Sequence, residues 1–175
     1  MLGVKRGTVV LLPYSSEWKL EFEKEKASLL KTFGDRIKAI EHIGSTAIPS
    51  IPAKPIIDMN VAVESIDDIE DFIVGLQKLG YEYIPERRYT DRQFFPKGPS
   101  ECRTHHLNLV EIYSETAWKN PLLFRDYLRN NEGARKEYKK LKEELVCKYA
   151  DNREEYTERK GNFVMSVVEK ARIVK

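Results

Sequence analysis

The amino-acid pattern predicts an α+β domain: one mixed sheet with helices packed on it, followed by a helical C-terminal third. Three observations lead there. Short β-branched, apolar runs alternate with helical spacing over the first two thirds of the chain. One run, Pro55 to Val63, is apolar on both faces apart from Asp58 and Asn60, as suits a central buried strand. After Ser114 the spacing is helical to the end. Strands mixed with two helices and then a run of helices describe one sheet covered on a face and at one end.

The elements follow in order. Thr8 to Leu12 is a short apolar run that stops at Pro13. From Ser15 or Ser16 as N-cap, a helix is expected to about Thr32, with Trp18, Phe22, Leu29 and Phe33 on one stripe and Gly34 as its stop. Ile37 to Ile43 and Pro55 to Val63 read as strands. Ser65 is expected to cap a helix carrying Ile69, Phe72, Ile73, Leu76 and Leu79, closed by Gly80. Tyr81 to Ile84, Gln93 to Pro96 and Thr104 to Glu111 read as further strands. Asn120-Pro121 is a cap followed by proline at the first helical position, and Gly133 is read as a break. Two last helices carry Tyr138, Leu141 and Leu145, then Tyr156, Phe163 and Val167, inward.

Composition narrows the function classes. A chain of 175 residues is most simply one domain, residues 1–175, with a self-sufficient core. It is 41% hydrophobic and 33% charged, values usual for a globular protein. Thirty basic residues against 28 acidic ones leave a net charge of only +2, which speaks against a polycationic nucleic-acid binder. Cys102 and Cys147 are read as free thiols of a reduced compartment. No charged-then-apolar signal segment and no membrane-length apolar stretch is apparent, so a cytoplasmic location is expected and membrane insertion is not.

The chemistry concentrates in residues 41–61. A β-branched run ends in Gly44-Ser45, where glycine lets backbone N–H groups approach a phosphate closely, with Thr46 as a further hydroxyl donor. Asp58 then projects from the next strand, where a carboxylate can hold a divalent ion beside that phosphate. Residues i and i+2 of a strand share a face, so Asn60 accompanies Asp58. A pair of carboxylates would hold two ions about 4 Å apart; one carboxylate and one amide suit a single ion. All three histidines, His42, His105 and His106, lie in the two candidate site segments. His106 and Asn108 share one strand face, while His105, Leu107 and Leu109 share the other, apolar one. Neutral imidazole adds affinity for ions such as Mn²⁺. Lys54, and Arg125 with Arg129 at i and i+4, are cationic candidates for phosphate. The dense run Arg135, Lys136, Lys139, Lys140, Lys142 is read as the wet face of an amphipathic helix.

The block Glu41-His42-Ile43-Gly44-Ser45-Thr46-Ala47-Ile48-Pro49, with Lys54-Pro55-Ile56-Ile57-Asp58, resembles the GrpB family. The likeness continues through Pro13-Tyr14, Trp18 and Phe22, then Thr104-His105-His106-Leu107, and Phe124 to Arg129, and ends with Tyr138, Leu141-Lys142, Tyr156 and Lys160. That family is similar in fold to the nucleotidyltransferases. The resemblance implies a nucleotidyltransferase-like domain whose pocket lies between the Gly44-Ser45 turn, Asp58 and the His106 strand, with Tyr156 and Lys160 closing it from the helical side. On this basis Asp58 and His106 are the expected catalytic residues. Gly44, Ser45, Thr46, Lys54, Arg125 and Arg129 are the expected phosphate ligands. Asp58, Asn60 and His106 would hold a divalent metal, Mg²⁺ or Mn²⁺, while His42, Asn108 and Lys160 are secondary candidates. The partner expected is a nucleotide or another phosphate-bearing small molecule. Two readings stay open: metal-dependent nucleotidyl or phosphoryl transfer to an acceptor, and a non-catalytic nucleotide- or anion-binding accessory module.

Overall fold

A computed structural model describes residues 2–174. Helix α1 (Glu17–Phe33) is followed by strand β1 (Ala39–Ile43) and strand β2 (Ile57–Val63). Helix α2 (Glu70–Lys78), β3 (Arg92–Lys97) and β4 (His105–Glu111) come next. A π-helical turn, Glu115–Lys119, then leads into α3 (Asn120–Asn130), α4 (Glu132–Tyr149) and α5 (Arg153–Ile173). The four strands form a mixed sheet in the order β1-β2-β4-β3. β1 runs antiparallel to β2, β2 parallel to β4, and β3 antiparallel to β4.

The period-2 alternation of the two central strands sorts the molecule into two sides. Ile57, Met59, Val61 and Val63 of β2, with Leu107 and Leu109 of β4, pack against Trp18, Phe22, Leu29, Phe72 and Leu76 of α1 and α2. The opposite face carries Asp58 and Asn60 of β2 and His106 and Asn108 of β4. Parallel pairing sets Asp58 beside His106 and Asn60 beside Asn108. A second core of Ile48, Ile51, Phe124, Leu128, Tyr138, Val167 and Val168 ties the three C-terminal helices to the loop between β1 and β2.

Some boundaries depart from expectation for identifiable reasons. Tyr81 to Ile84 does not become a strand. Tyr81 bridges Lys97, and the Glu82 N–H donates to the Pro96 carbonyl at 2.8 Å, but Pro96 has no N–H to return, and the chain turns at Pro85–Arg87. Ser65 caps a turn and not the helix itself: its hydroxyl accepts from the Asp67 N–H, and α2 starts at Glu70. The cap before α3 is Ser114, which accepts from the Ala117 N–H at 2.8 Å and starts the π-helical turn one step ahead of Asn120. The break before α4 is set by Asn131, whose side chain accepts from the Ala134 N–H, so Gly133 lies inside the first turn. Lys142 is corrected outright. Lys136, Lys139 and Lys140 are exposed and pair with Glu132, Glu143 and Glu144, whereas Lys142 is turned inward and is 2% exposed.

Candidate anion site between the sheet and the helical third

The Gly44–Ala47 turn sits directly over Asp58. Gly44 has φ +68° and ψ −168°, a conformation other residues reach only under strain. A Cβ at Gly44 would fall 2.7 Å from Asp58 Oδ2. Glycine is therefore required twice over, by its backbone angles and by the contact with the carboxylate. Below the turn, Thr46 donates its one hydroxyl proton to the Ile56 carbonyl (3.2 Å). His42 Nε2, 2.9 Å from the same hydroxyl oxygen, must then be the donor, which makes His42 a neutral Nε2–H tautomer. Burial holds its pKa down to about 4, with Arg129 and Arg125 adding to that and Asp58 opposing it, and its ring stacks on Phe22.

Asp58 Oδ1 lies 3.0 Å from His106 Nδ1, and the carboxylate side chain is 37% exposed. Burial raises the Asp58 pKa, but the His106 hydrogen bond and the charges of His106, Lys54 and Lys160 outweigh it and hold the group below its ordinary value. Asn60 is 1% exposed with both ends of its amide engaged. Its Oδ1 accepts from Asn108 Nδ2 at 3.1 Å, and its Nδ2 donates to the Ala117 carbonyl at 2.6 Å. It thus ties β2 to β4 and to the π-helical turn.

Apart from Asn60, which is buried and lines none of them, the expected site residues fall into three neighbouring spaces. Gly44, Ser45, Thr46, Lys54, Asp58, Asn108 and Lys160 line one cavity of about 560 Å³ between the sheet and α4/α5. His42, Arg125 and Arg129 line a different one, of about 400 Å³, behind the turn; Thr46 borders both. Arg125 is spent on structure there. It donates to Glu41 Oε2, the His42 carbonyl and Asp126, while Arg129 donates to the Ala47 carbonyl. His106 lines a third, small space together with Phe94 and Pro96.

The large cavity is strongly cationic. Lys54, Lys142 and Lys160 line it, and Asp58 is its single acidic residue. Burial pushes the Lys54 amine down to about 8, with Arg153 and Lys160 adding to the effect and Asp58 opposing it. Lys142 is driven well below its ordinary value by burial and then by Lys160 and Lys54. Among the described residues its amine has the Pro52 carbonyl and the Tyr138 ring as partners. Ile43, Pro121, Phe124, Tyr138, Val164 and Met165 give it an apolar and aromatic wall, interrupted by the polar side chains of Thr116, Asn120 and Thr157. A larger groove of about 760 Å³ beside α3 and the end of α5 contrasts with it, because there Glu115 pairs with both Lys119 and Arg172.

Lys142 escaped sequence reasoning because it stands in a lysine-rich helix. The available signal was its spacing: it follows Tyr138 by four positions and so shares the inward face.

The family model described as "GrpB protein" matches residues 8–170. The chain belongs to the GrpB family. It is 40% identical over 172 residues to the Glutamate-rich protein GrpB of Alkalihalophilus pseudofirmus, covering 96% of this chain and 98% of that one. The crystal structure of conserved protein GrpB from Enterococcus faecalis superposes with a TM-score of 0.85 at 32% identity, over 93% of this chain and 96% of that one. The Cid1 poly(U) polymerase with MgGTP bound matches at a TM-score of 0.52 and 13% identity, over 77% of this GrpB-family chain and 44% of the polymerase. At that identity the likeness shows a nucleotidyltransferase-like fold.

Proposed function

We propose that this GrpB-family chain binds a phosphate-bearing small molecule, foremost a nucleotide, in the cavity between the sheet and α4/α5. One observation carries the reading: three lysines, one of them almost wholly buried, converge on a cavity with a single carboxylate. Burial disfavours the charged form of such an amine, and an anion entering the cavity restores it, so that the proton and the anion bind together. The Gly44-Ser45 turn supplies a close backbone approach for a phosphate. The apolar and aromatic wall suits the less polar end of the ligand.

The donor set does not fit a resident two-metal centre. Asp58 is the one carboxylate, the Asn60 oxygen is committed to Asn108, and His106 Nδ1 is committed to Asp58. Among the described residues no three His, Cys, Asp or Glu side chains gather as a metal cluster. A second reading, metal-assisted nucleotidyl transfer with Asp58 and His106 as catalytic residues, is favoured by the Gly44 turn lying against the strand-borne Asp58.

Calorimetric titration with a nucleotide panel, with and without Mn²⁺, tests both. Binding is expected without added metal and is expected to weaken ~10-fold in Lys160→Ala, about the worth of one charge-assisted contact. Absence of binding for every nucleotide would remove the proposal. Binding that requires Mn²⁺ and disappears in Asp58→Ala would favour the transfer reading.

A further inference from the structure

Behind the Asp58–His106 pair lies a second concentration of positive charge. His106 borders a small space of about 20 Å³ together with Arg6, Arg87, Arg103 and Arg153, and no acidic residue lines it. Arg103 is neutralised there, donating to Glu82 and to the Gly98 carbonyl. Arg6, Arg87 and Arg153 have no carboxylate partner among the described residues. Arg87 lies over the Phe94 ring at 5.5 Å, and that ring packs on His106 at 5.1 Å, so one guanidinium is aimed by an aromatic stack. Arg153 feels burial first, and then Arg87 and Arg6 as like charges and Asp58 as an opposing one, all of which lie within electrostatic reach of it.

The two cationic spaces share one wall. Asp58 lines the lysine cavity and not the arginine space; His106 lines the arginine space and not the lysine cavity. The hydrogen bond between them is the partition. The first two turns of α5 connect the two from outside, since Arg153 lines the arginine space while Tyr156, Thr157 and Lys160 line the lysine cavity.

We infer that Arg6, Arg87 and Arg153 form a second oxyanion subsite, so that the ligand carries a chain of phosphate groups reaching past Asp58. The identity of that ligand rests on the lysine-cavity reading; the subsite itself rests on three guanidiniums that border one space and have no carboxylate partner among the described residues. The space holds about one water as it stands, so that admitting an oxyanion requires the arginine side chains to part. Guanidinium groups suit this role because their fork of N–H donors matches phosphate oxygens in pairs. Such a subsite discriminates ligands by phosphate count, a property the lysine cavity alone does not supply.

The test is calorimetric titration at fixed ionic strength with two probes, inorganic phosphate and tripolyphosphate. The proteins compared are wild type, Arg87→Gln, Arg153→Gln, Lys160→Ala and the control Arg36→Gln, a surface arginine paired with Asp71. Tripolyphosphate is expected to lose at least ~10-fold in affinity in Arg87→Gln and Arg153→Gln but not in Arg36→Gln. Inorganic phosphate is expected to be weakened by Lys160→Ala and not by the two subsite variants. Equal tripolyphosphate affinity in wild type and the subsite variants overturns the subsite and leaves the lysine cavity standing. An equal loss in all three arginine variants overturns it as well, because that reports only long-range attraction. Loss in the subsite variants with none in Lys160→Ala keeps the subsite and removes the lysine-cavity reading. Failure of both probes to bind wild type overturns both.

Discussion

His42 and Lys54 show at the residue scale how burial sets charge around the turn. In the unfolded chain His42 titrates near 6.5, and in the fold its pKa is held at about 4. Between those values the unfolded state binds more protons, so stability rises with pH across the window and is lost as pH falls from about 6.5 towards 4. The full difference is on the order of 3 kcal/mol at one pKa unit per ~1.4 kcal/mol. Denaturant titrations at pH 7 and pH 5 are expected to show about 2 kcal/mol of this loss in wild type and a smaller one in His42→Gln, which keeps a donor for Thr46. An equal loss in both proteins would mean that His42 is not the group responsible. Lys54 acts in the opposite direction on binding. Its pKa of about 8 means that the amine loses its charge as pH rises through 8, so phosphate affinity is expected to fall there. The Lys54→Met protein is expected to bind more weakly at pH 7 and to lack that inflection, which calorimetry at pH 7, 8 and 9 would reveal.

The turn between β1 and β2 is the element on which the site depends most. Gly44→Ala places a methyl group 2.7 Å from Asp58 Oδ2 and forces a residue with a Cβ into positive φ. A cost of about 1–3 kcal/mol is expected, together with weaker nucleotide binding, because the displaced carboxylate also loses its register with His106. Thermal unfolding and calorimetry on the same sample would check both. Unchanged stability and unchanged binding would mean that the turn yields freely and does not define the cavity.

The elements that frame this turn were largely readable from sequence. The β-branched runs of β1 and β2 and the alternation in β4 state which face is apolar, because strand periodicity is a local property. Tyr81 to Ile84 was misread because its fate depends on the missing N–H of Pro96 across the sheet, a non-local fact. α3 starts where Asn120-Pro121 announces it, but Asn120 does not cap it, because a π-helical turn capped by Ser114 runs straight into the helix.

Across the whole molecule, the candidate site joins parts that sequence spacing leaves apart. Asp58 and His106 are neighbours because β2 and β4 pair in parallel, and a parallel register is set by the crossover and not by either strand's composition. Arg125 and Arg129 looked equivalent to Lys54 as phosphate ligands, yet the docking of α3 places them behind the turn, where backbone carbonyls and carboxylates occupy them. Lys142 reached the cavity because the Tyr138 face of α4 packs against α3 and α5. The outcome is a cavity whose lining is the inverse of a carboxylate-rich metal centre: three lysine amines and one carboxylate.

That inversion leads to the decisive experiment: titration of ATP, without divalent metal, into wild type and Asp58→Asn at pH 7. Asparagine keeps the shape of Asp58 and a partner for His106 while removing the only negative charge in the cavity. If the lysines attract the ligand and the carboxylate opposes it, metal-free affinity is retained or tightened in Asp58→Asn. A loss of ~10-fold or more would contradict the account, because it would mean that the ligand reaches the protein through the carboxylate and not through the lysines.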